Sequence, residues 1–427
     1  MNSLNKEQKS GILFLLTSKT FERMAFFFVI PILIHFLNEL LEFEFSKATI
    51  YYSLCYGAIG ITSLFAGFLG DKLNRIRIVK IGFLILTIFY LVIVFLPNIP
   101  LLIATALVLL GVGIGLISPN IVVLLGNTYN EKGNEIKGLS GFILYEITFF
   151  VGALIVFPLS TLVKSEWGFY PLFIFAFIFG LLALILFLKF DNCYQKMDLI
   201  AKQKEYSETT NTKKLHRLIF FSVLAIGILI QFALYQKGKT FYLVVHDLLD
   251  NKFLLNEGWS NIEKIISLIL SLLLVFLVLR VKRWNWDKLF NLILIGIVFG
   301  VIAFILMGSF VSPSKINGNS LIVNAYICIV IAETLIAPVL RYIVYRSAPL
   351  QYKGLYQGIC YLFIGITNLL LFLGILMYQK SAVMAFVVFG IILIIAAVLI
   401  LLLKKRVNDT VAEIEKDGEE VLVEGEV

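Results

Sequence analysis

The stretch ITSLFAGFLGDKLNRIRIVKIGFLILTIFYLVIVFL, residues 61–96, decides the fold. An apolar segment closes at Gly70. A short loop with Asp71, Lys72, Arg75 and Arg77 follows, and a second apolar segment runs from Ile78 to Leu96 with Lys80 as its one charge. About 20 apolar residues cross roughly 30 Å of hydrocarbon as a helix. The strands of a membrane barrel would alternate apolar and polar residues instead. These runs are continuous, so each reads as a helix that satisfies its own backbone polar groups in lipid.

Read outward, the same pattern repeats. Apolar runs fall at about 11–38, 47–70, 77–97, 100–126, 139–163, 168–189, 217–244, 260–280, 288–311, 321–347, 355–378 and 382–403. Twelve membrane helices are therefore expected, in an all-α polytopic protein. Composition agrees: 427 residues, 60% hydrophobic and 15% charged, with a mean hydropathy of +0.94. Soluble domains are about 45–50% apolar and about 25% charged.

The loops alternate in charge. One set holds Lys72, Arg75, Arg77 and Lys80, then Lys132 and Lys137, then the basic residues from Lys196 to Arg217, then Arg280, Lys282, Arg283 and Lys288, then Arg346 and Lys353. With both termini, this side carries the bulk of the 36 Lys and Arg. The asymmetry places both termini in the cytoplasm and requires an even number of spans. The net charge of +8 thus reads as an orientation signal in a plasma (inner) membrane protein, not as a nucleic-acid surface. The first apolar run is long, carries charges and ends without a small-residue cleavage site, so no cleavable signal peptide is expected.

The longest hydrophilic stretch, 191–216, divides the chain into two six-helix bundles, 1–190 and 217–403. It reads as a cytoplasmic linker or a surface helix. An acidic tail is expected over 404–427. Cys55, Cys193, Cys328 and Cys360 have no metal or redox spacing.

Charges inside the spans are expensive and are candidate functional groups. Span one carries Lys19, Glu22 and Arg23, three and four apart, so they share a helix face. Glu22 neutralises one cation; Glu146 in span five is the nearest candidate for the other, and Lys19–Glu146 is the pairing expected. The cluster reads either as a cavity lining or as an ion-pair network that fixes helix packing. Span seven carries Tyr235, Gln236, Lys237 and Lys239. Lys237 and Lys239 cannot share a face, so one is expected inside and the other at the surface. Span ten carries Glu333 one turn before Pro338, a buried carboxylate at a bend and hence a proton-site candidate. Tyr145 and Tyr235 are candidate ligand contacts.

Six spans, a cytoplasmic linker and six spans resembles the plan of the major facilitator superfamily, in which two bundles rock around a midplane site. Gly67-Phe-Leu69-Gly-Asp71-Lys72-Leu-Asn-Arg75-Ile-Arg77 is similar to the superfamily's signature between spans two and three. The resemblance implies a cytoplasmic charge latch made of Asp71, Arg75 and Arg77. A weaker echo, Arg280-Val-Lys282-Arg283, lies between spans eight and nine.

Within that superfamily the chain resembles the proton-dependent oligopeptide transporters. Phe21-Glu22-Arg23-Met-Ala-Phe-Phe27 is similar to their Glu-x-x-Glu-Arg-Phe-x-x-Tyr motif. Ser118-Pro119-Asn120 with Leu125-Gly126-Asn-Thr-Tyr129, Gly141-Phe142 with Gly152-Ala153, Phe232-Ala-Leu-Tyr235-Gln236, Glu333-Thr-Leu-Ile-Ala-Pro338, and Gln357-Gly358 with Asn368 follow in the family's order. The resemblance implies proton-coupled import of di- and tripeptides. The sites it implies include Glu22, Arg23, Asn120, Tyr235, Gln236, Glu333 and Asn368. The departures are specific. Lys19 stands for the first Glu of the motif, Ser118 for a Lys, Glu146 for a Tyr and Phe150 for an Asn. The family's usual Glu–Lys pair between spans one and four is therefore absent.

The expected function is secondary active import of short peptides or similar amphoteric solutes, coupled to protons. The alternatives are a carrier of another organic anion or zwitterion without that coupling, and a transport-dead receptor on the same fold. No Walker sequence, His cluster or Ser/His/Asp set is present, so no enzyme chemistry and no cofactor are expected. The expected partners are a small solute, protons and the lipid bilayer, with the chain monomeric.

Overall fold

A computed structural model of the chain describes residues 6–42, 44–95, 99–129, 138–196, 210–238, 240–241, 257–281, 284–311 and 318–416. Lys132, Lys137, Lys239, Lys282, Arg283, the middle half of the expected linker (197–209) and the end of the acidic tail lie outside them.

The described residues are helical throughout, without a strand. Helix α1 (Lys6–Val29) continues through a 3-10 turn at Ile30–Ile32, where Pro31 lacks an N–H to donate, and ends in a π turn at Phe36–Leu40. There follow α2 (Phe45–Lys72), α3 (Arg75–Val92), α4 (Pro100–Tyr129), α5 (Gly138–Trp167), α6 (Tyr170–Lys196), α7 (Thr210–Leu234), α8 (Glu257–Arg280), α9 (Trp286–Val311), α10 (Gly318–Ser347), α11 (Lys353–Leu370), α12 (Phe372–Lys380) and α13 (Ala382–Lys416). Span eleven is α11 and α12 together, interrupted at Leu371. Span twelve is α13.

Eleven of the described spans are long and apolar enough to cross a membrane by length and composition. α1 falls outside that set because Lys19, Glu22 and Arg23 interrupt its apolar run. It completes the twelve the sequence predicts.

Two boundaries differ from expectation. α6 runs to Lys196 and α7 starts at Thr210, so the linker expected over 191–216 is entered by helix from both sides. α13 continues past 403 to Lys416 without a break. Its basic turn is held there: Lys404 donates to Asn291 Oδ1 at 2.7 Å and pairs with Asp287 at 2.9 Å, both on α9.

The chain packs into two compact units. Unit 1 comprises Met1–Asn134, Leu144–Glu205 and Leu350–Gly365; unit 2 comprises Glu135–Ile143, Tyr206–Pro349 and Ile366–Val427. The first part of α11 therefore packs with the N-terminal bundle. In unit 1, α1 lies along α6, and α4 lies along α2 and α3. Phe28 stacks between Phe175 and Phe179 in its core. In unit 2, α9 lies against α10 and α13, around Phe241, Phe304, Phe386 and Phe389. Leu13, Phe65, Ile88, Leu101, Ile305 and Leu402 are exposed along the helices, as lipid-facing residues should be.

The close approach of α2 to α11 depends on glycine. A Cβ on Gly67 would stand 2.0 Å from the Gly354 carbonyl oxygen. Backbone on both sides leaves nothing to move aside.

Candidate functional site

Three groups of buried polar side chains stand out, two in unit 1 and one in unit 2.

The first lies on α1. Lys19 Nζ is 2.8 Å from Glu22 Oε2. Arg23 donates Nε to Glu22 Oε2 at 2.7 Å and Nη2 to Oε1 at 2.5 Å, a bidentate fork. Lys19 is 2% exposed and Glu22 1%, so the pairing is made away from solvent. Two cations share one carboxylate, so these three residues carry a surplus positive charge. Beside them, Lys19 Nζ lies 5.8 Å from the centre of the Tyr145 ring, within cation–π reach. The Tyr145 hydroxyl hydrogen-bonds the Tyr361 hydroxyl of α11 at 3.1 Å. Lys19 was expected to pair with Glu146, and it contacts Glu22, one helical turn away on its own helix. Glu146 is half-buried on α5, next to Tyr145.

The approach of α5 to this cluster rests on Gly152, where a Cβ would meet Arg23 Cβ at 3.1 Å. Gly152→Ala is expected to push α1 outward by a few tenths of an ångström and cost about 1 kcal/mol. Thermal unfolding of the detergent-purified protein checks this; a variant as stable as the parent overturns it.

The second group holds Asp71 and Arg75, two of the residues expected to form a latch. Asp71, at the end of α2, pairs with Arg75 at 2.5 Å. It also accepts from the backbone N–H groups of Gly354 at 2.8 Å and Leu355 at 2.7 Å. Those are first-turn amides of α11, which have no carbonyl of their own helix to bond, so Asp71 caps that helix from across unit 1. Arg75 Nη1 donates to Asn120 Oδ1 at 3.3 Å, and Asn120 donates to the carbonyls of Ala66 and Leu116. Asn120 was expected at the solute; in the structure it is bonded to Arg75, which its place on α4 faces. Arg77 was expected in the latch but is exposed. Its backbone N–H bonds Asn74 Oδ1, the cap of α3.

The third group, in unit 2, joins three helices. Gly238 ends a 3-10 turn after α7 that presents Lys237. Lys237 Nζ bonds Glu263 Oε1 of α8 at 2.7 Å and Glu333 Oε2 of α10 at 2.5 Å. Lys264 Nζ bonds the same Glu263 oxygen at 2.8 Å. Two lysines and two carboxylates form a neutral quartet. Glu263 and Lys264 escaped the sequence analysis: they stand at the start of span eight, where a Glu–Lys pair reads as a membrane-edge pair. The signal available was a carboxylate just inside the apolar run.

Gln236, another solute candidate, is fully buried. It accepts from the Thr240 hydroxyl at 2.7 Å and donates to the Leu371 carbonyl at 3.4 Å. That carbonyl lies at the break between α11 and α12, so Gln236 fills the interruption, against Gly374. Asn368 is half-buried one turn before that break, where its carbonyl accepts from Leu371 N–H at 3.4 Å. Tyr235 is half-buried on the turn that carries Lys237.

A polytopic helical protein with ion pairs buried inside apolar spans has the build of a secondary transporter. The chain belongs to the Major Facilitator Superfamily, whose family model matches residues 15–371. Its fold is similar to solved structures of peptide transporters. One is a POT family transporter in complex with a thioalcohol-conjugated peptide, at 17% identity and a TM-score of 0.63, covering 93% of this chain and 96% of that one. A second is a POT family transporter in complex with 5-aminolevulinic acid, at 17% identity, a TM-score of 0.62 and the same coverage. A third is the peptide transporter POT in complex with sulfate, at 16% identity and a TM-score of 0.64, covering 94% and 95%.

Proposed function

We propose that this chain imports short peptides, or similarly amphoteric solutes, together with protons, by alternating access, with both termini on the cytoplasmic side of the membrane. The observation that carries the reading is the pair of buried charge groups. The Lys19–Glu22–Arg23 cluster sets two cations and one carboxylate inside a span, groups a solute carboxylate would meet. The quartet around Lys237 offers Glu333 to a proton or a solute ammonium. Buried charges of this kind are costly to keep and mark transport sites by default. The solved transporters of like fold were crystallised with a peptide conjugate and with an amino acid of mixed charge.

The test is uptake of labelled dialanine into proteoliposomes, with and without an inward proton gradient. One pH unit stores about 1.4 kcal/mol per proton, enough to drive about tenfold accumulation. Wild type is expected to show that accumulation, and Glu333→Gln is expected to take up dialanine without responding to the gradient. Gradient-independent uptake by wild type removes the coupling. The two cations on α1 also suit an uncoupled carrier of organic anions, and uptake of an anionic solute in place of dialanine would favour that second reading.

A further inference from the structure

The quartet in unit 2 holds more than a single site for a cation. Lys237 bridges two carboxylates, but the two are not equivalent. Glu333 is 24% exposed and Glu263 11%. Glu333 contributes one oxygen to one lysine, whereas a single oxygen of Glu263 takes both Lys237 and Lys264. We propose that Lys237 is a built-in competitor for the cation site on Glu333, and that Glu263 is the positioning residue that keeps Lys237 paired when a solute ammonium displaces it. The inference rests on the reading of Glu333 as a cation site and adds how that site is regulated.

The argument is one of charge. A solute ammonium arriving at Glu333 must replace the lysine there. A lysine left buried without a carboxylate is heavily penalised. Glu263 removes that penalty, since Lys237 already touches it at 2.7 Å and need only give up its second partner. The displaced state keeps each cation beside a carboxylate: solute on Glu333, Lys237 and Lys264 on Glu263. Lys237 thus sets a threshold on amine binding, and Glu263 sets its height. Among the described residues, the Tyr326 phenol of α10 is a further ionisable group whose field reaches this quartet.

The charge count fixes opposite signs for two substitutions. Without Glu263, Lys237 keeps Glu333 as its carboxylate and cannot yield it, so Glu263→Gln is expected to weaken ammonium binding by at least about tenfold. Without Lys237, Glu333 has lost its competitor while Glu263–Lys264 remains paired. Lys237→Met is therefore expected to tighten binding by about tenfold. Lys264→Gln frees the Glu263 oxygen for Lys237 alone and is expected to tighten it by a smaller factor. It serves if Lys237→Met does not fold.

The experiment is isothermal titration of the full-length protein in detergent with three probes: dialanine, N-acetyl-dialanine and butylamine. The opposite signs should show with dialanine and butylamine and vanish with N-acetyl-dialanine, which has no ammonium. A merely structural role would move all probes the same way in every variant. Loss of affinity in all variants, or no change in any, overturns the inference. Butylamine that follows the pattern while dialanine fails to bind would keep the inference and overturn the peptide reading. Dialanine binding that ignores all three substitutions would do the reverse. No binding of any amine to wild type overturns both.

Discussion

Glu22→Gln is expected to remove both the stable fold and dialanine binding. The carboxylate receives Lys19 and both arms of the Arg23 fork, and its side chain is 1% exposed. Truncating one member of a buried charge network strands the others, at about 3–5 kcal/mol. Here it leaves the Arg23 fork without its carboxylate and two cations one turn apart on one helix face, where they repel each other. The expected readout is a large fall in melting temperature of the detergent-purified protein, with monodisperse yield lost in the extreme. A second variant separates charge balance from pairing. Lys19→Met with Glu22→Gln keeps the net charge of the native triad but leaves Arg23 unpaired. Partial recovery would show that the number of cations on the face sets the cost; none would show that the fork itself does. A Glu22→Gln protein as stable as its parent would sink the argument.

The span plan was legible because the physics behind it is one-dimensional. Hydrocarbon thickness sets the length of each run and loop charge sets its orientation, so both can be read along the chain. All twelve runs became helices. The α1 triad was legible for the same reason: residues three and four apart share a face whatever else the helix touches. Partners that come from other helices were not. Lys237 and Glu333 were each singled out, but not their union, and Glu263 was missed, because the quartet depends on three helices whose relative rotation no periodicity encodes. Asn120 shows another partner that the sequence could not supply. Its motif placed it among solute residues, while its position on α4 turns it to Arg75, as the Gly70 contact confirms: a Cβ there would meet Asn120 Oδ1 at 2.0 Å. The break at Leu371 carried no proline signal, and its filler, Gln236, read as a solute residue on the strength of its motif.

Asp71→Ala is expected to release the start of α11. The carboxylate is 1% exposed and joins three things at once: the Arg75 guanidinium and the first amides of α11 at Gly354 and Leu355. Its loss uncaps the helix and leaves Arg75 with Asn120 alone among these partners, a combined cost of about 3 kcal/mol. Each 1.4 kcal/mol shifts a two-state equilibrium about tenfold, so the latched arrangement should lose about a hundredfold in relative population. Cys360, on α11 within unit 1 and 8% exposed, reports this directly. With Cys55, Cys193 and Cys328 replaced by serine, maleimide labelling of Cys360 is expected to quicken at least about tenfold in Asp71→Ala. Asp71→Asn, which keeps an oxygen for the amides but gives up the charge on Arg75, should fall between. Arg77→Ala should label like the parent, since that side chain is exposed and only its backbone takes part in the α3 cap. If Arg77→Ala labels as fast as Asp71→Ala, the basic loop works through its overall charge. If only the Asp71 variants respond, the latch is the single carboxylate that ties α2 to the first turn of α11, and the arginine beside it serves to hold that carboxylate in place.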